Sequence, residues 1–469
     1  MRLGPGIAAA AVVVSALAST GAQARPAAVA ARVGGDWARF GYDAARHDVG
    51  PAATGITAAN VGSLRDQRVA LDGTVDSSAV YVRGIRGRDV VVVTTTYGRT
   101  EAIDASTGVL VWRFTPNGYG ALVGSYQITN ATPIVDRALG AVFAAAPDGR
   151  VRRLSLSTGR VVWTATVTLL PGREKLTSSL NLSSGRVLVT TGGYIGDEPP
   201  YQGHVVSLDE KTGRILAVWN SLCSERTTLQ EPSTCPASDS AIWARSGVVV
   251  DPATGRLLVA TGNAPFDGKR YFGDSVLVLS PDGTKLVASY TPTNYDYLDR
   301  SDLDLGSSAP ALLAGGYAVQ GGKDGELRLL GPAQLTRAPG STGGELQIVP
   351  TPGGTDLFSA PAVWKGTRLF VADGLGTAAW RLSGGRLVKT WENSTSGTSP
   401  VVAGGLLYVL ALEGGVNVYV PATGRLLATL KTGPAHWQSP IVTDGRVIVA
   451  EGNANDHAKS GVLNIFRLP

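Results

Sequence analysis

Apolar residues in this chain come in short runs separated by polar turns, and no stretch keeps helical spacing. The run Leu257-Leu-Val-Ala260 leads into a polar stretch, a second run Val276-Leu-Val-Leu279 and the turn residues Pro281-Asp-Gly283. Short aliphatic runs bounded by Gly, Pro, Asn and Asp predict β-strands. The two runs read as one hairpin whose loop, carrying Asn263, Asp267 and Asp274, is far longer than a tight turn. Long polar loops on a rigid sheet are where function concentrates, although such a loop can also be a tolerated insertion.

The pattern recurs along the chain. Each unit has an opening such as Ser-Ala-Pro, a short apolar run, a turn and a longer run. A Gly-rich loop, a third run, a Thr-Gly-Arg-like turn and a fourth run follow. The clearest copy is Val90 to Phe114, and others cover 131–167, 178–219, 240–290, 307–349, 358–391, 397–430 and 437–469. Four short strands repeating at roughly 40 to 50 residues predict an all-β fold, a β-propeller of four-stranded antiparallel blades. Eight units are counted, and seven stays open because long insertions obscure the phase. The last unit lacks a full outer strand, and Trp37 to Phe40 is expected to supply it, so that an N-terminal strand closes the ring. The tryptophans at 112, 163 and 219 fall at blade ends and are expected to pack between blades.

Residues 1–24 read as a cleaved secretory leader, with Arg2, the apolar stretch Ile7 to Ala18 and Ala22-Gln-Ala24 as a cleavage site. Residues 25–35 read as a linker and 36–469 as the propeller. No cysteine follows the leader, so no lipid anchor is expected, and the apolar stretch is too short to span a bilayer. The protein is therefore expected to be secreted or periplasmic. In that oxidising setting Cys223 and Cys235 are expected to form a disulfide that pins one loop. The net charge of +5 comes from scattered Lys and Arg, which argues against a nucleic-acid partner. Mild basicity suits an acidic ligand but is also common in soluble proteins.

In such a blade the loops joining the second and third strands share one face with the connections between blades. Enlarged loops fall there at 192–203, 262–273 and 452–461, and enlarged connections at 220–240 and 291–306, whereas the other face has tight turns such as Ser106-Thr-Gly108. This asymmetry predicts a site at one mouth of the channel. Asp197, Glu198, Asp267, Asp274, Asp302 and Asp304, with Asn263, are brought toward a common rim. Such hard oxygen donors suit calcium, and taken singly each also suits a solvated rim position.

The blade pattern, above all Ala102-Ile-Asp-Ala-Ser-Thr-Gly-Val-Leu-Val-Trp112, resembles the repeats of pyrroloquinoline quinone (PQQ) propellers, the quinoprotein alcohol dehydrogenase-like superfamily. The resemblance covers nearly all of the chain after the leader. It implies roles for matching residues. Glu198, in Glu-Pro-Pro-Tyr-Gln-Gly203, and Asn263, in Thr-Gly-Asn, are similar to calcium ligands that also hold the cofactor, and Asp302 is expected as a third metal residue. Trp243 is similar to the tryptophan beneath the quinone. Asp302, with Asp304 as the alternative, matches the catalytic base, and Lys323, in Lys-Asp-Gly325, the basic residue near the quinone oxygens. The adjacent cysteine pair that covers the quinone in those enzymes has no counterpart. PQQ and calcium are the implied cofactors, and a small alcohol or sugar the implied substrate. A non-catalytic propeller that binds an envelope protein partner through the same mouth is the second class, because assembly scaffolds share the repeat.

Overall fold

The computed structural model describes residues 33–469, together with Met1, Arg2, Gly4 and Gly6. Most of the expected leader and of the linker lies outside the described residues. Among the described residues no helix is long and apolar enough to cross a membrane.

Eight four-stranded antiparallel sheets follow one another along the chain. Blades 1 to 7 occupy 80–114, 134–166, 181–220, 249–290, 311–350, 362–393 and 401–430, and blade 8 is built on 441–467. The burial pattern explains the composition of each strand. Second strands such as Arg88–Thr94 are covered on both faces, so Val90 to Val93 form a continuous buried run. Fourth strands face solvent on one side and alternate, as Val161–Thr166 does.

Between third and fourth strands, Asp104 Oδ1 accepts the backbone N–H groups of Ser106 and Thr107, and Gly108 takes a positive φ. Asp209 and Gly213 repeat the device. These turns also join the blades. The Trp112 indole N–H donates to Leu156 O at 2.8 Å, and the ring lies where a Cβ on Gly159 would stand. Trp163 sits likewise on Gly213, and Trp391 on Gly424. Trp219 packs with Phe272 of the following blade. All three tryptophans expected between blades are found there.

An N-terminal strand closes the ring, but it is Arg65–Leu71, paired antiparallel with Gly461–Arg467 as the outer strand of blade 8. This corrects the expectation for Trp37 to Phe40. Arg65–Leu71 alternates exposed and half-buried residues, as an outer strand must, whereas Trp37 and Phe40 are fully buried. The segment that holds them crosses the end of the channel at the tight-turn face. Trp37 bridges Tyr81 of blade 1, and Ala38, Ala44, His47 and Asp48 accept backbone N–H groups from blades 2, 4, 6 and 7. The Arg46 guanidinium donates to Leu180 O of blade 3, and Val33 O accepts from Asp444 of blade 8. That end is sealed, leaving the long-loop face as the open mouth.

Candidate functional site

The mouth opens into a cavity of about 880 Å³, within the size range of ligand sites. Trp243, Asn263, Asp302, Asp304 and Lys323 all line it. The last four are joined by direct hydrogen bonds and ion pairs. The loop after the second strand of blade 4 presents Thr261-Gly262-Asn263, and Thr261 Oγ1 anchors it to Phe272 O at 2.6 Å. Asp304, on the connection between blades 4 and 5, accepts the Asn263 backbone N–H at 2.8 Å. Only glycine fits between them, because a Cβ on Gly262 would lie 1.9 Å from Asp304 Oδ1. The short helix Tyr295–Arg300 precedes Asp302, which takes a positive φ and accepts Asn263 Nδ2 at 2.9 Å. Lys323, at the tight turn of blade 5, reaches both acids, at 2.7 Å from Asp302 Oδ1 and 2.6 Å from Asp304 Oδ2.

Burial raises the Asp304 carboxyl above its ordinary range, and Lys323 and the Asn263 N–H oppose the shift. Burial alone would lower Lys323, but the Asp304 and Asp302 carboxylates outweigh it and hold the ammonium above its ordinary value. Asn263 Oδ1 is buried without a partner. An unmatched buried acceptor in a cavity wall is a place for a ligand donor or a cation.

Glu198 does not join this group. Its carboxylate takes both terminal nitrogens of Arg173 at 2.5 Å on the outer side of its loop, and its side chain is 69% exposed. The neighbouring Asp197 lines the cavity instead and accepts the Tyr201 hydroxyl at 2.9 Å. Two other expected rim acids stand outside this group, and Asp274 keeps a buried Oδ2 without a partner. Asp267 accepts three backbone N–H groups of its own loop, and Asp274 is fully buried with Oδ1 on Leu305 N–H. Among the described residues no group of three or more His, Cys, Asp or Glu is arranged to hold a metal ion. Asp239 also lines the cavity, and burial together with Asp197 pushes it up to about 6.

The expected disulfide is present between Cys223 and Cys235. It packs with Leu222 against Ala264, the residue after Asn263. From the same connection, Ser240 N–H donates to Asn263 O at 2.6 Å. The bridge thus braces the Asn263 loop from behind and does not cover the cavity.

Other cavity residues escaped the sequence reading. Trp243 is near-parallel to Trp437, with ring centroids 5.7 Å apart, and Phe358 adjoins it at 5.8 Å. His436 stacks on Trp437, and its Nδ1 lies 2.6 Å from Asp76 Oδ2. Arg245 and Lys175 approach Trp437 with their charges 4.6 and 5.8 Å from its ring centroid. A signal for several of these was present in the repeat. Four residues before each inner strand stand Asp76, Asn130, Thr177, Arg245, Ser307, Phe358, Gly397 and Trp437. The Ser- and Thr-rich stretch that follows keeps the register while this position changes chemistry from blade to blade. Five of the eight (Thr177, Arg245, Phe358, Gly397 and Trp437) line the cavity.

Comparison with known proteins fits this architecture. Residues 71–231 match a PQQ-type repeat family described as outer membrane protein assembly factor BamB. The chain is 25% identical over 315 residues to the dehydrogenase subunit of the quinone alcohol dehydrogenase of Gluconobacter oxydans (strain 621H), a match covering 56% of this chain and 38% of that protein. It is also 25% identical over 327 residues to the quinohemoprotein alcohol dehydrogenase of Comamonas testosteroni, covering 60% and 44%. The chain therefore matches less than half the length of these relatives. A crystal structure of the Comamonas testosteroni enzyme superposes with a TM-score of 0.71 at 18% identity, over 92% of this chain and 80% of that one. That likeness establishes the fold. The resemblance to PQQ-type propellers is borne out.

Proposed function

We propose that this protein is exported, holds a PQQ-type quinone in the open mouth of its propeller and oxidises a small alcohol or sugar there. The observation that carries the reading is the joining of Asn263, Asp302, Asp304 and Lys323 into one bonded group in the cavity that the Trp243–Trp437 pair lines. A flat conjugated ring needs flat apolar walls and a few placed polar atoms, and the residues fit it. The unpartnered Asn263 Oδ1 is the second element of that fit. The donor set for calcium is incomplete. Asn263 and Asp302 offer few of the six to eight oxygens that the ion takes, and Glu198 points elsewhere. Calcium belongs to this reading only as an ion completed by ligand oxygens.

A bound quinone would supply the two-electron oxidant, while the protein supplies orientation and charge. Lys323, kept charged by Asp304, presents an ammonium to oxygen atoms that gain negative charge. Asp302 spends only Oδ1 on Asn263 and Lys323, which leaves Oδ2 open to accept a substrate hydroxyl proton. Asp304 is the positioning residue, since it holds both Lys323 and the Asn263 backbone. Trp243 and Trp437 orient a ring and exclude water.

The test is equilibrium binding of PQQ, with and without calcium, followed by dye reduction with a panel of alcohols and aldoses. Saturable binding that Asn263→Ala and Lys323→Met abolish, with turnover of one substrate class, is the expected result. If the parent neither binds PQQ nor reduces dye, the reading fails. A non-catalytic scaffold that binds an envelope protein then takes its place, a class supported by the family match over blades 1 to 3.

A further inference from the structure

Two cations at the base of the cavity lack counterions among the described residues. Arg245 is 3% exposed and lines the cavity, yet its Nε and Nη1 have no partner. Its Nη2 reaches across the channel to Trp437 O of blade 8 and Asp76 O of blade 1. The guanidinium therefore forms part of the cavity floor and leaves two donor nitrogens unused. Lys175, 7% exposed, comes from the short strand Glu174–Lys175, which pairs with Gly192–Gly193 at the cavity edge. Its ammonium has the face of Trp437 at 5.8 Å and, among the described residues, neither a hydrogen bond nor an ion pair.

Asp76 is the acid whose charge bears on both cations. Its carboxylate is committed to His436, Asn130 and the N–H groups of Trp437 and Ala454. Burying an unpaired cation is costly, and a cation–π contact offsets only part of that cost. Lys175 records it, because burial brings its ammonium down to about 8. The Trp243–Trp437 pair lies between this end and Lys323, which stands 5.5 Å from the Trp243 ring centroid.

We propose that Lys175 and Arg245, backed by Trp437, form an anion subsite at the base of the cavity that takes a carboxylate group of the bound molecule. Lys175 offers a point charge to the carboxylate, and the Arg245 guanidinium, whose Nη2 is already committed, adds its positive charge beside it. The carboxylate belongs either to a resident cofactor or to an acidic substrate, and the subsite stands whether or not the occupant is a quinone.

The experiment titrates the full chain with benzene-1,3,5-tricarboxylate at fixed ionic strength, reading tryptophan fluorescence and Tm, with benzamide as the uncharged control. The parent is expected to quench saturably and rise in Tm with the tricarboxylate alone. Lys175→Gln and Arg245→Gln each weaken binding by roughly tenfold or more, the usual loss for a charged hydrogen-bond partner. Arg245 also ties blades together, so Lys175→Met serves as the folding control. Without ligand its Tm equals or exceeds that of the parent, and the tricarboxylate no longer raises it. No saturable response in the parent, or equal affinity in the Lys175 variants, overturns the proposal. PQQ binding separates the sources. Weaker PQQ binding in Lys175→Gln assigns the carboxylate to the cofactor. Unchanged PQQ binding with weaker tricarboxylate binding assigns it to substrate. A parent that binds the tricarboxylate but not PQQ sinks the quinone reading and leaves the subsite standing.

Discussion

Lys323 and Lys175 line the same cavity on either side of a tryptophan pair, in opposite electrostatic settings. Lys323 lies within 2.7 Å of two carboxylates and is held above the ordinary lysine value. Lys175 has no paired acid among the described residues, and burial brings it down to about 8. The first ammonium is part of the folded framework, because Asp304 beside it is itself nearly buried. The second is an open valence, tolerated by the fold and available to a ligand. Charge identity therefore says little about role here. The presence or absence of a built-in counterion separates a structural cation from a receptive one.

Lys323→Met tests this contrast most severely. It strands the Asp304 carboxylate in a buried site, so we expect about 4 kcal/mol of destabilisation by urea unfolding, along with loss of ligand binding. The disulfide comes next. Cys223 and Cys235 are separated by 12 residues, and opening that loop with Cys223→Ala should cost about 3 kcal/mol. It should also weaken ligand binding through the Asn263 loop, which equilibrium titration reads directly.

A smaller effect is expected from pH. Folded Lys175 releases its proton near 8, against an ordinary value of 10.5 in the unfolded chain. Between those values the unfolded chain holds more protons, so stability rises with pH across that window. Below it the full cost of the buried charge is present. Lys323 behaves in the opposite sense, contributing fully below 10.5 and losing that contribution only as pH passes its higher folded value. The stability of the parent relative to Lys175→Met should therefore climb by roughly 2 kcal/mol from pH 8 to 10.5, measured by unfolding at each pH. A flat difference curve would mean that Lys175 has a counterion after all.

Glu198→Ala should change least. Its Arg173 pair is exposed, so under about 1 kcal/mol of stability is at stake, and ligand affinity should stay at the parental value.

The blades were legible because their signals are local. Buried runs such as Val90 to Val93, the Asp-x-x-Thr-Gly turns at 104–108 and 209–213, and the tryptophans at 112 and 163 all act within one blade or on the next. The Thr261-Gly-Asn263 motif was legible only through its family resemblance, and its reason, the close approach of Asp304 to Gly262, is a tertiary contact. Two assignments failed where the sequence offers near-equivalent choices. Glu198 and Asp197 are neighbours, and only the folded loop decides that Asp197 faces the cavity. Trp37 to Phe40 and Arg65–Leu71 are both N-terminal segments, and only ring closure decides which pairs with blade 8.

By itself, then, the sequence determined the repeat, the turn chemistry and the open mouth, and its family resemblance pointed to Asn263, Asp302 and Lys323. Tertiary structure alone decided that Trp437 of blade 8 would meet Trp243 and Arg245 of blade 4 across the channel, with Lys175 beside them. The physical reason is range. Hydrogen-bonded turns and strand patterning act over a few residues, whereas the channel juxtaposes side chains almost two hundred residues apart only after the last strand has joined the first.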